Sequence, residues 1–101
     1  MNMKPVVIKS GMTVWVSCDV RPGPFPNERK VYIKLDNNEW FGFVDVSQLK
    51  NKVESGPDFV QATVIGVRDE RVVLGIRGQS PASRPIETNT SVIGGLSPVS
   101  P

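Results

Sequence analysis

Hydrophobic and polar residues alternate along much of this chain. From Gly11 to Val20, Val14, Val16, Cys18 and Val20 share one parity, while Thr13, Trp15, Ser17 and Asp19 share the other. This is the period-two signature of a strand with one buried face. The alternation resumes over Lys30 to Leu35, with Val31, Ile33 and Leu35 facing one way and Tyr32 and Lys34 the other. It returns over Trp40 to Val46, where Trp40, Gly42, Val44 and Val46 interleave with Phe41, Phe43 and Asp45. Between these two runs, Asp36-Asn37-Asn38-Glu39 supplies turn residues that tolerate left-handed backbone, which predicts a hairpin. Gly42 suggests a bend of the kind a barrel needs. Two β-branched-rich runs, Phe59 to Arg68 and Arg71 to Arg77, form a second predicted hairpin across Asp69-Glu70.

The breaks are as informative as the runs. In Arg21-Pro22-Gly23-Pro24-Phe25-Pro26-Asn27 three prolines remove backbone donors, so the first strand is expected to stop there and give way to a stiff, extended loop. Ser47-Gln48-Leu49-Lys50 reads as a single helical turn, followed by a loop over Asn51 to Asp58. Nowhere does an apolar period of 3.6 persist long enough for a globular helix. The pattern therefore predicts an all-β chain of five strands with a short helical turn between strands three and four. That is the element order of an OB-fold β-barrel, whose strands two and three commonly bind oligonucleotides.

Composition sets the limits. The 101 residues suffice for one domain, and the expected division is an N-terminal extension over 1–10, the barrel over 11–78 and a tail over 79–101. The tail is rich in Pro and Ser, with only Arg84 and Glu87 charged, and reads as flexible. Its apolar group, Val92, Ile93 and Leu96, is a candidate docking segment. Lys and Arg exceed Asp and Glu by 12 to 10, a net charge of +2, so charge alone does not mark a nucleic-acid binder. The single cysteine, Cys18, excludes an intramolecular disulfide and a multi-thiolate metal site, and its parity predicts a buried, inert thiol. Histidine is absent, which removes the commonest general base and metal ligand. No phosphate-binding glycine loop, paired catalytic carboxylates or nucleophile with its base can be assembled. We expect no enzymatic activity, no cofactor and no metal. Met1 to Val7 lack the apolar stretch of a secretory leader and no apolar run approaches a membrane span, so a soluble, cytoplasmic protein with no membrane partner is expected.

The stretch Trp40-Phe41-Gly42-Phe43-Val44-Asp45-Val46-Ser47-Gln48-Leu49 resembles the third strand of the RNA-binding domain first described in the largest small-subunit ribosomal protein. There Gly, apolar, Val, His, Ile, Ser, Glu, Leu is typical. Val60 to Arg77, ending Leu74-Gly75-Ile76-Arg77, is similar to that family's last hairpin, which usually closes on Leu-Ser-Ile-Arg or Leu-Ser-Met-Arg. The resemblance spans roughly residues 11 to 78 and implies an OB barrel that binds RNA. Asp45 stands where the family usually has an exposed histidine, Arg29 stands at the family's first second-strand aromatic, and the proline-rich loop has no counterpart.

Single strands are held by stacking bases on rings while cations follow the backbone. With Val31, Ile33, Leu35, Val44 and Val46 inward, Tyr32, Lys34, Phe41 and Phe43 are expected outward on neighbouring strands. The candidate nucleic-acid site is therefore Tyr32, Phe41 and Phe43 for stacking, and Arg29, Lys30, Lys34 and Arg77 for phosphates, with Arg29 and Lys30 at the platform edge. The partner is single-stranded RNA or single-stranded DNA. Trp40 is assigned to the core. Trp15 either extends the platform or lies beneath the first loop. Phe25 is either a clamp over a ligand or, as we prefer, a plug for the barrel end. The alternative is a protein partner: the same rings form a docking patch, making the chain an assembly subunit or homodimer. An SH3-like barrel would change the topology and keep the class.

Overall fold

A computed structural model describes residues 8–36, 39–77 and 85–89, together with the backbone of 97–98. The chain is all-β, as the alternation predicts, and its sheet curls into a nearly closed barrel. Strands β1 (Thr13–Pro22), β2 (Glu28–Lys34), β3 (Glu39–Asp45), β4 (Gly56–Arg68), β5 (Arg71–Gly75) and β6 (Ile86–Asn89) lie in the order β3-β2-β1-β4-β5-β6, every pairing antiparallel. A two-residue β7 (Ser97–Pro98) pairs with β1 opposite Val14 and Trp15. A single 3-10 turn, Val46–Gln48, joins β3 towards β4. Among the described residues no helix is long and apolar enough to cross a membrane.

The predicted count of five strands is corrected to six, with β7 as a short addition. Ile86–Asn89 pairs with β5 from Leu74↔Ile86 to Arg71↔Asn89, and Ile86 and Thr88 are buried. A four-residue strand inside a Pro- and Ser-rich segment is lost when composition is averaged over the whole segment. Its own alternation, Ile86 and Thr88 in with Glu87 outward, is what places it. Val92, Ile93 and Leu96 lie outside the described residues.

The first loop also departs from expectation. β1 continues through Pro22, opposite Arg29, so the connection is only Gly23 to Asn27. It is compact rather than extended, with Gly23 N donating to Glu28 O at 3.0 Å and Glu28 N donating to Phe25 O at 3.0 Å. A proline at a strand end removes no ladder bond from the interior, which is why Pro22 does not stop β1 earlier. The predicted helical turn begins one residue sooner, at Val46.

The core is the inward parity of every long strand: Val14, Val16, Cys18 and Val20 from β1, Val31 and Ile33 from β2, Val44 from β3, Val60, Ala62 and Val64 from β4, and Val72 and Leu74 from β5. Leu49, Ile76 and Ile86 complete it, with Leu49 bridging to Val60. A bulge between Val64 and Gly66 shifts the β4–β5 register and leaves Ile65 on the outside. Burial raises the Cys18 thiol to about 12, helped by the nearby Asp58 and Asp19 charges, so it stays protonated near neutrality. Asp58 is buried and organises the loop before β4: Oδ1 accepts from Phe59 N, Asn51 N and Asn51 Nδ2, and Oδ2 accepts from Val53 N, at 2.7 to 3.2 Å.

Trp40 packs partly buried against the core and turns its indole back over Gly42. A Cβ at Gly42 would lie 2.7 Å from Trp40 Cη2, so a side chain there makes the indole shift. Replacing Gly42 with alanine should displace the indole and lower stability by about 1–3 kcal/mol, the usual range for overpacking. Urea denaturation measures this, and an unchanged midpoint would show that the indole moves freely.

Candidate nucleic-acid interface

Strands β2 and β3 pair over seven residues each, and the register sets the outer face row by row. The cross-strand neighbours on that face are Glu28 with Asp45, Lys30 with Phe43, Tyr32 with Phe41, and Lys34 with Glu39. Successive rows are two residues apart, about 6.7 Å along the strand. Aromatic groups therefore occupy the middle of the face, with carboxylates in the rows at both ends.

The middle is a single cluster. Tyr32 and Phe41 approach with ring centroids 6.3 Å apart and tilted by 35°. Lys30 Nζ lies 5.2 Å from the Tyr32 centroid, 5.1 Å from Phe41 and 5.9 Å from Phe43, within cation–π range of all three rings. Phe41 is 60% exposed, while Tyr32 and Phe43 are half-buried. The structure thus places Lys30 at the centre of the platform rather than at its edge.

The cluster lies between two clefts, one lined by Tyr32 and the other by Phe43, and the three together outline a candidate trough. One, of about 490 Å³, runs past Tyr32 and is lined by Ser17, Asp19, Arg21, Lys34 and Glu39. It opens where β1 and β2 stop pairing beyond Asp19↔Tyr32. The other, of about 540 Å³, runs past Phe43 beneath the first loop and is lined by Phe25, Asn27, Glu28 and Arg77. Phe25 is 66% exposed and lines this cleft, so the preferred reading of it as a barrel plug is corrected. A short loop closed by two backbone hydrogen bonds holds its tip out.

Arg29 is not brought to the platform. Its parity is that of Val31, and its guanidinium donates to the carbonyls of Val53 at 3.2 Å, Pro26 at 2.8 Å and Glu28 at 3.0 Å, tying the two loops together. Trp15 sits half-buried where β1 pairs with β4 and β7, away from β2, and does not extend the platform. Arg21 enters the trough unforeseen, paired with Asp19 at 3.0 Å. Its position follows from β1 running on to Pro22, which the prolines concealed.

Side chains close the barrel where the ladder does not. Asp45 caps the 3-10 turn by accepting from Ser47 N at 2.8 Å, and Gln48 Oε1 accepts from Asp45 N at 3.0 Å, a capping box. Gln48 Nε2 also donates to the carbonyl of Arg77, linking the end of β3 to the chain just past β5, and Arg77 lines the same cleft as Phe43. The hydrogen bond from Ser47 holds the Asp45 carboxyl below its ordinary range. At the other end Arg71 pairs with Asp36, and Thr88 Oγ1 donates to Asp36 Oδ1 at 3.3 Å, fastening the β2–β3 turn to β5 and β6. The Arg71 hydrogen bond lowers the Asp36 pKa. Among the described residues no group of His, Cys, Asp or Glu is arranged to hold a metal ion.

No family model, curated protein or solved structure matches the chain.

Because the folded state holds Asp36 and Asp45 below the usual carboxylate range, both contribute stability that is full above that range. The contribution fades as pH falls through the depressed folded values. Urea midpoints measured from neutral to acid pH should drop, and Asp36→Asn should flatten part of that drop; an identical pH profile in the variant would remove Asp36 from the closure.

Proposed function

We propose that this chain is an OB-type binding module that holds single-stranded nucleic acid, RNA in the first instance, along the trough over β2 and β3. The observation that carries the reading is the cluster of Lys30 with Tyr32, Phe41 and Phe43, open to solvent and continued by a cleft at each end. Supporting the OB assignment are the long β1 shared between β2 and β4, the two hairpins and the turn between β3 and β4. The resemblance to the ribosomal RNA-binding domain points the same way, and Asp45 acts as a turn cap in the place of that family's exposed histidine.

Rings stack bases without demanding a sequence, so little sequence preference is expected. Lys34 and Arg77 join Lys30 as phosphate contacts. Arg29, committed to carbonyls, is left out of the binding set. In fluorescence anisotropy with a labelled oligouridylate, Tyr32→Ala, Phe41→Ala and Phe43→Ala should each cost about 1–3 kcal/mol of binding. The logarithm of affinity should fall with that of salt with a slope of about −2, as three phosphate contacts imply. Undetectable binding at low salt, or binding indifferent to salt, would end this reading. Exposed Phe25 and Phe41 beside the carboxylates of Glu39 and Asp45 favour the second reading, a protein-docking patch. Its signature is concentration-dependent self-association in sedimentation, abolished by Phe41→Ala.

A further inference from the structure

Resting on the single-strand reading, we propose that Lys30 defines a two-nucleotide step: the phosphodiester docks on its ammonium while the flanking bases stack on Phe41 and Phe43. Lys30 Nζ lies between these rings, 5.1 Å from one centroid and 5.9 Å from the other. Among the described residues it makes ring contacts and neither an ion pair nor a hydrogen bond, so its three donors are unspent. Other cations nearby face carboxylates: Lys34 is opposite Glu39, Arg21 is paired with Asp19, and Arg77 shares its cleft with Glu28 and Asp45. The anion site of the platform is therefore its centre, where rings on both sides leave an ammonium without a counterion.

Spacing fixes what fits there. Phe41 and Phe43 are one strand repeat apart, about 6.7 Å. Neighbouring bases in a stacked strand rise only about 3.4 Å. Two consecutive bases reach the two rings only when the backbone between them is opened and their mutual stack is replaced by stacking on phenylalanine. In a duplex the base faces are covered by their neighbours, so rings standing on a sheet reach them only by prising a step apart. The carboxylates of Glu28 and Asp45 beyond Phe43, and of Glu39 beyond Tyr32 and Phe41, weaken the flanking phosphate contacts at Arg77 and Lys34 relative to the central one. A central phosphate flanked by two splayed bases of a single strand is what the middle of the platform selects.

The test compares uridylyl-uridine with its neutral methylphosphonate analogue by calorimetric titration of wild-type protein, Lys30→Met and Lys30→Arg. Methionine keeps the apolar stem, and the outward position of Lys30 spares the core. Wild type and Lys30→Arg should bind the charged dinucleotide about tenfold more tightly than the neutral one, as a charge-assisted hydrogen bond implies. Lys30→Met should bind both alike, at the affinity of the neutral analogue. A preference for the charged form that survives in Lys30→Met would place the phosphate elsewhere and overturn the step. So would binding of longer oligouridylate, dependent on Tyr32, Phe41 and Phe43, by a wild type that does not discriminate the two dinucleotides; the single-strand reading would then stand without it. No binding of longer oligouridylate would overturn both.

Discussion

The β2–β3 hairpin carries bulky apolar groups on both of its faces, and what decides which face looks out is the cost of burying charge. In the observed register Val31, Ile33 and Val44 are sealed in the barrel, each worth roughly 1.5–3 kcal/mol of burial. A slip by one residue would exchange them for Tyr32, Phe41 and Phe43, which are also apolar, so hydrophobicity alone separates the two arrangements poorly. Lys30, Lys34 and Glu28 settle the matter, because the slip would drive these charges out of water into the apolar interior. The charges that fix the register are thus the same groups that surround the exposed rings.

The ladder does not complete the barrel. β3 and β6 end the sheet, and the gap is spanned by side chains: Gln48 between Asp45 and Arg77 at one end, and Asp36 with Arg71 and Thr88 at the other. Closure by a few polar contacts leaves the cleft beside Phe43 open along its length, where a continuous ladder would fill it with backbone. It also gives Asp45, Gln48 and Asp36 a structural role that their surface positions conceal.

Much of this was legible in the alternation. Val14, Val16, Cys18 and Val20, then Val31 and Ile33, are buried as their parity requires, and Tyr32, Phe41 and Phe43 come together outside. What escaped was set by tertiary contacts. Arg29 follows the inward parity of Val31 and finds carbonyls in two loops that are distant in sequence. Lys30 moves from edge to centre because its cross-strand partner is Phe43, a pairing fixed by a hairpin register that local pattern does not specify. At Gly42 the alternation gives no sign that the indole of Trp40 folds back over it and crowds any side chain there. Ile86 and Thr88 were hidden in a segment whose average composition opposes order.

On the proposed reading the trough over β2 and β3, and no other face, receives the ligand. The opposite candidate is the exposed outer surface of β4, with Ile65 and Val67. Amide shift mapping of the labelled protein during titration with oligouridylate separates the two directly. Perturbations at Lys30, Tyr32, Phe41, Phe43 and Arg77 should saturate together while Ile65 and Val67 stay still. Shifts concentrated on Ile65 and Val67, with the amides of β2 and β3 unmoved, would contradict it.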